Sequence, residues 1–276
     1  MAHGMQKTMD FRGRWVLVTG ASAGLGREFA RLLAHEHGAN LIVLARRKDR
    51  LEELRSELER TAKVQVVPLV VDLSDARDVE RALAEILAGP PLHAAILNAA
   101  VTHFGPYEAL GMAEFSALLH TNVTSVVAFA HALIPRIERE QPGGGVLFVS
   151  SLAGLSPVPF QSVYSGSKAF LIHYACGLWH ELDGRPVSIT TFAPGGIVTE
   201  MTAGKNFEPL AGFLMPVEQC ARAGLDAFRR RDYLSVPGFS NRVGSVLSRL
   251  LPRRFVTGLV ARSYRRALEQ SSGSGR

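Results

Sequence analysis

The sequence predicts an α/β fold: a doubly wound, seven-stranded parallel sheet with helices on both faces, followed by a C-terminal helical extension. Short β-branched and leucine-rich runs alternate with longer segments of helical period, which is typical of repeated βαβ units. These runs are apolar along nearly their whole length, as expected for strands buried on both faces. A chain of 276 residues, 47% of them hydrophobic, suits one large core.

Seven strands and six helices follow from this pattern. We predict strands over 15–19, 41–45, 64–71, 94–97, 146–150, 187–193 and 233–236. We predict helices over 25–37, 49–61, 76–88, 113–139, 162–183 and 217–229. The stretch 199–215 is irregular, and helical period returns from 241 to 270. We therefore expect a main domain over 10–240, an extension over 241–270, and flexible ends at 1–9 and 271–276.

The positive charge is concentrated near the C-terminus. The chain carries a net charge of +6, and residues 242–276 contain eight arginines against one acid, Glu269. That segment has a net charge of +7, which leaves −1 for residues 1–241. Nucleic-acid-binding modules show a basic stripe with interleaved aromatic residues, and the body of this chain has none. We therefore expect no nucleic-acid partner.

Cysteine content and hydropathy indicate the setting of the protein. Cys176 and Cys220 are the only cysteines, and neither they nor the histidines have metal-ligand spacing, so no metal is expected. A reduced, cytoplasmic compartment follows most simply. The N-terminus lacks the apolar run of a signal peptide, and no stretch approaches the roughly 18 to 20 apolar residues of a spanning helix. We expect a cytoplasmic protein, at most peripheral to a membrane.

A glycine-rich loop follows the first predicted strand and opens the first helix. Residues 19–26 read Thr-Gly-Ala-Ser-Ala-Gly-Leu-Gly. Glycines let the backbone turn tightly and approach a diphosphate, while a helix N-terminus offers free N–H groups. Because a strand precedes the loop and a helix follows it, we predict a Rossmann-type dinucleotide site. Its expected contacts are Gly20, Ser22, Gly24, Leu25 and Gly26.

The end of the second predicted strand indicates which dinucleotide is bound. An acid is common there in NAD-binding folds, because it bonds the ribose 2′-OH. Here Ala45 occupies that position and Arg46 and Arg47 follow, with guanidinium geometry suited to a 2′-phosphate. We predict NADP(H), the alternative being a solvated basic helix start. Asp72, followed by Leu73 at the same edge, either accepts from the adenine amino group or caps a helix near Ser74.

Three residues together indicate the chemistry. Tyr164 and Lys168 are four residues apart in a predicted helix, so both side chains project from one face. A nearby ammonium is expected to lower the pKa of the tyrosine from about 10, which would make Tyr164 a general acid. Ser151 lies at the end of the fifth strand, where its hydroxyl can bond a substrate oxygen. Taken singly, each residue has a structural alternative: packing for Tyr164, a solvated cation for Lys168, a turn for Ser151.

In order and spacing, these motifs resemble the short-chain dehydrogenase/reductase family over nearly all of residues 12–240. One position departs from the family pattern, because Ala100 stands where glycine is usual and adds a methyl group beside the cofactor ribose. We expect a slight loss of room there. The matching elements are the loop at 19–26, Asp72, Asn98-Ala99-Ala100, Asn122, Ser151, the Tyr-x-x-x-Lys of 164–168, and Pro-Gly-Gly-Ile-Val-Thr at 194–199.

The resemblance implies a role for each of these residues. It makes Tyr164 the acid/base, with Lys168 holding the nicotinamide ribose and tuning the tyrosine. Ser151 positions the carbonyl, and Asn122 anchors a water in the proton relay. Residues 194–199 lie against the nicotinamide, with Thr199 near its carboxamide. The implied cofactor contacts in these motifs are Asn98, Ala99, Ala100, Tyr164, Lys168, Pro194, Gly195, Ile197 and Thr199.

The sequence specifies the substrate pocket less closely than the cofactor site. Apolar residues in 103–107, 152–160 and 199–215 predict an apolar substrate, and Gly204 and Gly212 bracket a possible lid.

In the C-terminal tail, apolar residues alternate with arginines. This pattern fits a helix packed on the domain or on a dimer mate, or a basic amphipathic helix on anionic lipid. We favour packing.

These observations lead to two hypotheses. The first is an NADPH-dependent oxidoreductase acting on a ketone or secondary alcohol of an apolar substrate, which family analogy makes ketoacyl, steroid-like or polyketide-like. The second is a catalytically weak dinucleotide-binding scaffold or sensor that uses the basic tail to bind a membrane or partner. By analogy with the family we expect a homodimer or homotetramer.

Overall fold

The computed structural model describes residues 8–200 and 214–273. Within these residues, seven parallel strands form one sheet with helices on both faces, which confirms the predicted fold class. The strands are β1 (Trp15–Thr19), β2 (Asn40–Ala45), β3 (Val66–Val70), β4 (Leu92–Leu97), β5 (Gly144–Val149), β6 (Val187–Phe192) and β7 (Leu234–Ser235). Their spatial order is β3-β2-β1-β4-β5-β6-β7, so the winding reverses between β1 and β4. Ligands of open α/β sheets bind at such a switch point.

Helices connect the strands and extend beyond the last of them. Each predicted strand overlaps an observed one to within two residues at either end. Most of the predicted irregular stretch, with Gly204 and Gly212 and the hypothetical lid, lies outside the described residues. The helices are α1 (Gly24–His35), α2 (Lys48–Ala62), α3 (Ala76–Ala88), α4 (Met112–Leu119), α5 (Ser125–Glu140), α6 (Ser162–Glu181), α7 (Val217–Arg230), α8 (Phe239–Leu250) and α9 (Arg253–Gly273).

The sheet separates two apolar layers. Successive side chains of a strand point to opposite faces, so Val16 and Val18 of β1 pack in one layer and Leu17 in the other. Helices α1, α2 and α7 cover the first layer, and α3, α5 and α6 cover the second. Burial on both faces accounts for the continuous apolar character of the strands.

The predicted helix over 113–139 is interrupted. A π-helical turn, His120–Thr124, separates α4 from α5 and buries Thr121 and Asn122. The apolar period continues through this turn, which is why the sequence pattern predicts one helix. The expectation that no segment is apolar enough to span a membrane was also wrong, because Met112–Glu140 passes that test by length and composition. Half of its most apolar 18-residue stretch is buried in the domain, where α5 packs on β4 and β5.

The N-terminal boundary of the fold lies earlier than predicted. Met9, which we expected in a flexible end, is buried, and its backbone N–H donates to the carbonyl of Arg229 over 2.9 Å. Phe11 is fully buried and packs against Phe228 of α7, with ring centroids 5.8 Å apart. The segment before β1 is thus part of the core beneath α7.

The C-terminal extension consists of two helices where we predicted one helical stretch. Leu251, between α8 and α9, has extended backbone angles of φ −86° and ψ 150°. Pro252 explains the break, because proline has no N–H to donate and forces the preceding residue out of the helical region. After the break, α9 packs on the main domain, where the ring of Tyr264 meets Phe104 edge-on at 5.2 Å.

Buried His93 makes the stability of this fold sensitive to acid. Burial, together with the charges of Arg14 and Arg231, lowers the pKa of His93 from 6.5 to about 4. The unfolded chain therefore binds a proton between these values and the folded chain does not. His93 thus favours the unfolded state as the pH falls from 6.5 to 4, at a cost that reaches about 3 kcal/mol.

We expect His93→Leu to reduce the loss of stability between pH 7 and pH 4.5. Urea unfolding at the two pH values measures it, with exposed His131→Leu as the matched control. If the stability of His93→Leu depends on pH as that of the parent does, other groups cause the loss of stability at acid pH.

Candidate active site

A groove of about 1040 Å³ lies at the carboxyl edge of the sheet, across the switch point between β1 and β4. Most of the residues predicted as cofactor contacts or catalytic groups line it. Gly26 and Asn122 do not: both lie behind the groove wall. The predicted residues that line the groove are Gly20, Ser22, Gly24, Leu25, Arg46, Arg47, Asp72, Leu73, Asn98, Ala99, Ala100, Ser151, Tyr164, Lys168, Pro194, Gly195, Ile197 and Thr199.

The glycine-rich loop is packed closely enough to require glycine at two positions. Gly20 has φ +73°, and a Cβ there would lie 2.9 Å from the Cα of Ala99. A Cβ on Gly26 would lie 2.3 Å from the carbonyl oxygen of Gly20. Gly26 therefore allows α1 to begin directly against the loop, which leaves the helix N-terminus open to an anion. This backbone cradle fits a dinucleotide diphosphate.

Hydrogen bonds tie the ends of β1 and β4 together beneath the groove. The hydroxyl of Thr19 accepts from the backbone N–H groups of Asn98 and Ala99 over 2.9 and 3.0 Å. The side-chain amide of Asn98 donates to the carbonyl of Thr19 over 2.9 Å. Asn98 thus holds the floor of the groove in shape, in addition to lining it.

The two arginines after β2 differ in their contacts. Arg47 donates to the hydroxyl of Ser22 over 3.3 Å and forms an ion pair with Glu200 over 2.9 Å. Arg46 is exposed and makes no hydrogen bond or ion pair with any described residue. A guanidinium at the groove with its donors free suits a phosphate ligand. Arg46 is therefore the better candidate for the 2′-phosphate.

Asp72 holds the turn before α3, and its contact with adenine stays a prediction. Its Oδ1 accepts from the backbone N–H and the hydroxyl of Ser74, over 2.9 and 2.7 Å. Burial works to raise the pKa of Asp72, but these hydrogen bonds and the charge of Arg46 outweigh it, so the pKa lies below its ordinary value. The carboxylate lines the groove while it holds the turn. The N-cap of α3 itself is Asp75, whose side chain accepts from the N–H of Arg77.

Tyr164 and Ser151 form the polar centre of the groove. Ser151 follows β5 and begins the short 3-10 turn Leu152–Gly154, where its hydroxyl accepts from the N–H of Ala153 over 3.2 Å. Tyr164 is half-buried in the first turn of α6 and lines the groove with Ser151. Burial raises the pKa of Tyr164, and the neighbouring hydroxyl of Ser151 offsets only part of this rise.

Lys168 lies one helical turn further along α6 and is 2% exposed. Its ammonium donates to the carbonyl of Val149, at the end of β5, over 2.9 Å. The nitrogen lies 5.8 Å from the centre of the Tyr164 ring. Burial lowers the pKa of Lys168 to about 8. The expectation that the pKa of Tyr164 lies below its ordinary value is not met, because burial of the phenol raises it.

Asn122 holds α6 from behind the groove. Its amide oxygen accepts from the N–H of Val101, and its amide nitrogen donates to the carbonyl of Val101, both over 2.9 Å. The same nitrogen donates to the hydroxyl of Ser167 over 3.1 Å, and that hydroxyl donates to the backbone carbonyl of Tyr164 over 2.7 Å. The side chain of Asn122 thus connects the loop after β4 to the first turn of α6.

The C-terminal extension contributes to the groove, which the sequence analysis did not predict. Val256, Val260 and Tyr264 of α9 line it, together with Asn241 of α8. A Cβ on Gly195 would lie 2.7 Å from the amide nitrogen of Asn241, so Gly195 lets α8 approach the segment 194–199. The four-residue spacing of Val256, Val260 and Tyr264 was a visible signal of one helix face. The partner of that face was not visible in the sequence.

Comparison with known proteins places this geometry in a family. Residues 14–209 match the family model of the short chain dehydrogenases. Within the described residues, no three His, Cys, Asp or Glu side chains form a metal-binding group. A solved short-chain dehydrogenase from Sphingobium yanoikuyae, in complex with NADPH, superposes with a TM-score of 0.77 at 26% identity. The match covers 85% of this chain and 92% of that one.

The curated relatives differ in the substrates that their names give. A very-long-chain 3-oxoacyl-CoA reductase of Danio rerio is 30% identical over 194 residues, which cover 69% of this chain and 60% of the relative. A sulfoacetaldehyde reductase of Chromohalobacter salexigens is 34% identical over 189 residues, which cover 68% of this chain and 74% of the relative. The chain spans 53% to 60% of the length of three very-long-chain reductases that it matches.

The buried ammonium of Lys168 leads to a stability prediction. The charged form costs free energy because the pKa is about 8 in the folded state and 10.5 ordinarily. At pH 7 this cost is about 3 kcal/mol, against about 1 kcal/mol for the hydrogen bond to Val149. As the pH rises from 8 to 10.5, the folded chain loses the proton first, so the cost disappears.

We expect Lys168→Met to unfold at higher denaturant concentration than the parent at pH 7, with a smaller difference at pH 10. Exposed Lys48→Met is the control, and chemical unfolding followed by circular dichroism is the measurement. A Lys168→Met variant that is less stable at pH 7, by an amount independent of pH, would contradict this account.

Proposed function

Because the chain belongs to the short-chain dehydrogenase family, we propose that it is an NADP(H)-dependent oxidoreductase that interconverts a ketone and a secondary alcohol on an apolar substrate. The observation that carries this proposal is the pair of Tyr164 and Ser151, which line one groove together with Lys168, whose ammonium lies 5.8 Å from the centre of the Tyr164 ring. The pair offers two hydroxyl donors to one substrate oxygen. Such donors stabilise the negative charge that develops on a carbonyl oxygen during reduction.

In the reductive direction, Tyr164 transfers its phenolic proton to that oxygen. Burial keeps the phenol protonated at neutral pH, which suits a donor, and the group is regenerated by a proton from solvent. Lys168 stabilises the phenolate left after transfer, because an ammonium close to the ring favours the charged form. Bound nicotinamide supplies the hydride to the carbonyl carbon, or accepts it in the reverse direction.

The preference for NADP(H) rests on the end of β2. The family position for a ribose-binding acid is Ala45, and the free guanidinium of Arg46 lies next to it at the groove. Arg47 is engaged by Ser22 and Glu200, so its contribution to phosphate binding requires those bonds to be exchanged. The NADPH complex of the Sphingobium relative supports the same cofactor here.

The proposed substrate is an apolar ketone. Away from the cradle, apolar side chains line the groove: Leu152, Val158, Leu214, Val256 and Val260. This lining favours a ketone on a hydrocarbon chain or ring over a small sulfonate, and it agrees with the 3-oxoacyl substrates that the names of several relatives give. Ketoacyl thioesters are therefore the first compounds to assay.

We further propose a reducing, cytoplasmic setting and a homo-oligomer. Cys176 and Cys220 are both free thiols, which supports a reducing compartment. On α6, Phe170 is exposed and stacks on Tyr174 at 5.7 Å. This aromatic surface supports pairing of two chains through α6.

Tyr164→Phe tests the proposed chemistry. We expect turnover of ketones with NADPH to fall by about two to four orders of magnitude, since the general acid is lost. NADPH binding, measured by fluorescence titration, should be unchanged. Tyr174→Phe is the matched control on the same helix, because Tyr174 does not line the groove. Parent protein that binds NADPH but turns over no compound in a panel of 3-oxoacyl thioesters and ketosteroids would overturn the proposal in favour of a binding function.

Arg46→Asp tests the cofactor preference. An acid at this position repels a 2′-phosphate and can accept from a ribose hydroxyl, so the ratio of NADPH to NADH affinity should fall by roughly tenfold to a hundredfold. Arg77→Asp reverses an exposed charge on α3 outside the groove and should leave the ratio unaltered. Titration of each variant with both dinucleotides is the measurement. An unchanged ratio in Arg46→Asp would mean that another group binds the phosphate.

A further inference from the structure

The outward face of the C-terminal extension is apolar. Six large apolar side chains, one every fourth residue, are 40% to 83% exposed along α8, the break and α9. Single exposed apolar residues are ordinary on protein surfaces, but six at four-residue intervals in two consecutive helices are not. We call this set the outer stripe; its members are Phe239, Val243, Leu247, Leu251, Phe255 and Leu259.

The outer stripe is distinct from the face of α9 that packs on the domain. Val256 and Val260 line the groove, and each follows a member of the stripe by one residue, a rotation of about 100° around the helix. Phe255 and Leu259 therefore point away from the groove wall and are 57% and 51% exposed. Packing of the extension on the domain, which we favoured from the sequence, leaves the stripe uncovered.

Exposed arginines alternate along the chain with members of the outer stripe, and no acids compensate them. No aspartate or glutamate occurs between Asp232 and Glu269. None of the arginines with a described side chain in this interval forms an ion pair with another described residue. These exposed arginines are Arg242, Arg253, Arg254, Arg262 and Arg265.

We propose that the outer stripe docks the protein on an anionic membrane surface. An apolar stripe flanked by uncompensated arginines is the pattern of interfacial helices, whose apolar residues enter the headgroup region while the cations contact anionic lipids. A second copy of the chain fits less well, because a symmetric contact between two such faces would bring like charges together. An anionic bilayer would provide the negative charge that compensates these arginines.

Docking in this orientation has a consequence for the groove. Helix α9 has the outer stripe on one face and the groove wall on another, so the apolar end of the groove lies one helix away from the lipid. An apolar ketone dissolved in the bilayer would reach the site past α9 without crossing water. This consequence rests on the proposed function, whereas the docking itself does not.

Vesicle flotation with the full chain tests the docking. We expect binding to vesicles of equimolar phosphatidylcholine and phosphatidylglycerol, and little binding to phosphatidylcholine alone. The triple variant Leu251→Gln, Phe255→Gln, Leu259→Gln should lower the apparent partition coefficient by on the order of tenfold or more. Leu87→Gln combined with Met112→Gln is the matched control, since both side chains are exposed and apolar but lie on other helices.

Charge, folding and self-association are followed in the same experiments. Arg254→Gln, Arg262→Gln and Arg265→Gln together should remove the preference for anionic vesicles, and added salt should weaken parent binding. The unfolding midpoint and NADPH titration verify that each variant is folded, independently of any enzymatic activity. Absence of parent binding to anionic vesicles would overturn the proposal. So would a glutamine triple variant that binds vesicles like the parent but sediments as a smaller oligomer, which would identify the stripe as a contact between copies.

Discussion

The buried hydrogen bond from the ammonium of Lys168 to the carbonyl of Val149 is the constraint on which the site depends. A lysine charge inside a protein is costly, so its partner has to be provided where the ammonium arrives. That requirement fixes α6 across the end of β5. Ser150 donates to the backbone carbonyl of Lys168 over 2.7 Å, and Gly154 passes the same carbonyl so closely that a Cβ would lie 2.6 Å from it. Because Lys168 is held in this way, the backbone of α6 also fixes the position of Tyr164, one turn earlier.

A second set of bonds holds that first turn from the opposite side. The π-helical turn at 120–124 departs from regular α-helical hydrogen bonding and buries Asn122. The side-chain amide of Asn122 donates to both Val101 and Ser167. π-turns are rare and occur often at functional sites, because they redirect one side chain without ending the helix. Here the redirected side chain serves α6, since Ser167 bonds the carbonyl of Tyr164. The Asn122 side chain therefore positions the tyrosine.

Features with local causes were predictable, and those with long-range causes were not. Strand burial, the glycine cradle and the Tyr164–Lys168 face follow from neighbours within a few residues, and the structure places them as expected. The π-turn was not predictable, because the apolar period runs through it without interruption. The direction of the pKa shift of Tyr164 was missed because it depends on how completely distant segments cover the ring. Pro252 was visible in the sequence, but the break there was not predicted because helical period continues on both sides of it.

The extension shows why two interpretations of one amphipathic segment need not exclude each other. A helix has room for more than one apolar face, and α9 uses one on the groove, where Val256, Val260 and Tyr264 replace solvent as its wall. An apolar groove without that wall would be open to water, which weakens every polar interaction at its centre. The arginine-flanked outer stripe is then a second and separate use of the same helix. Since one face packs on the domain and the other remains uncovered, α9 is suited to lie between the groove and a lipid surface.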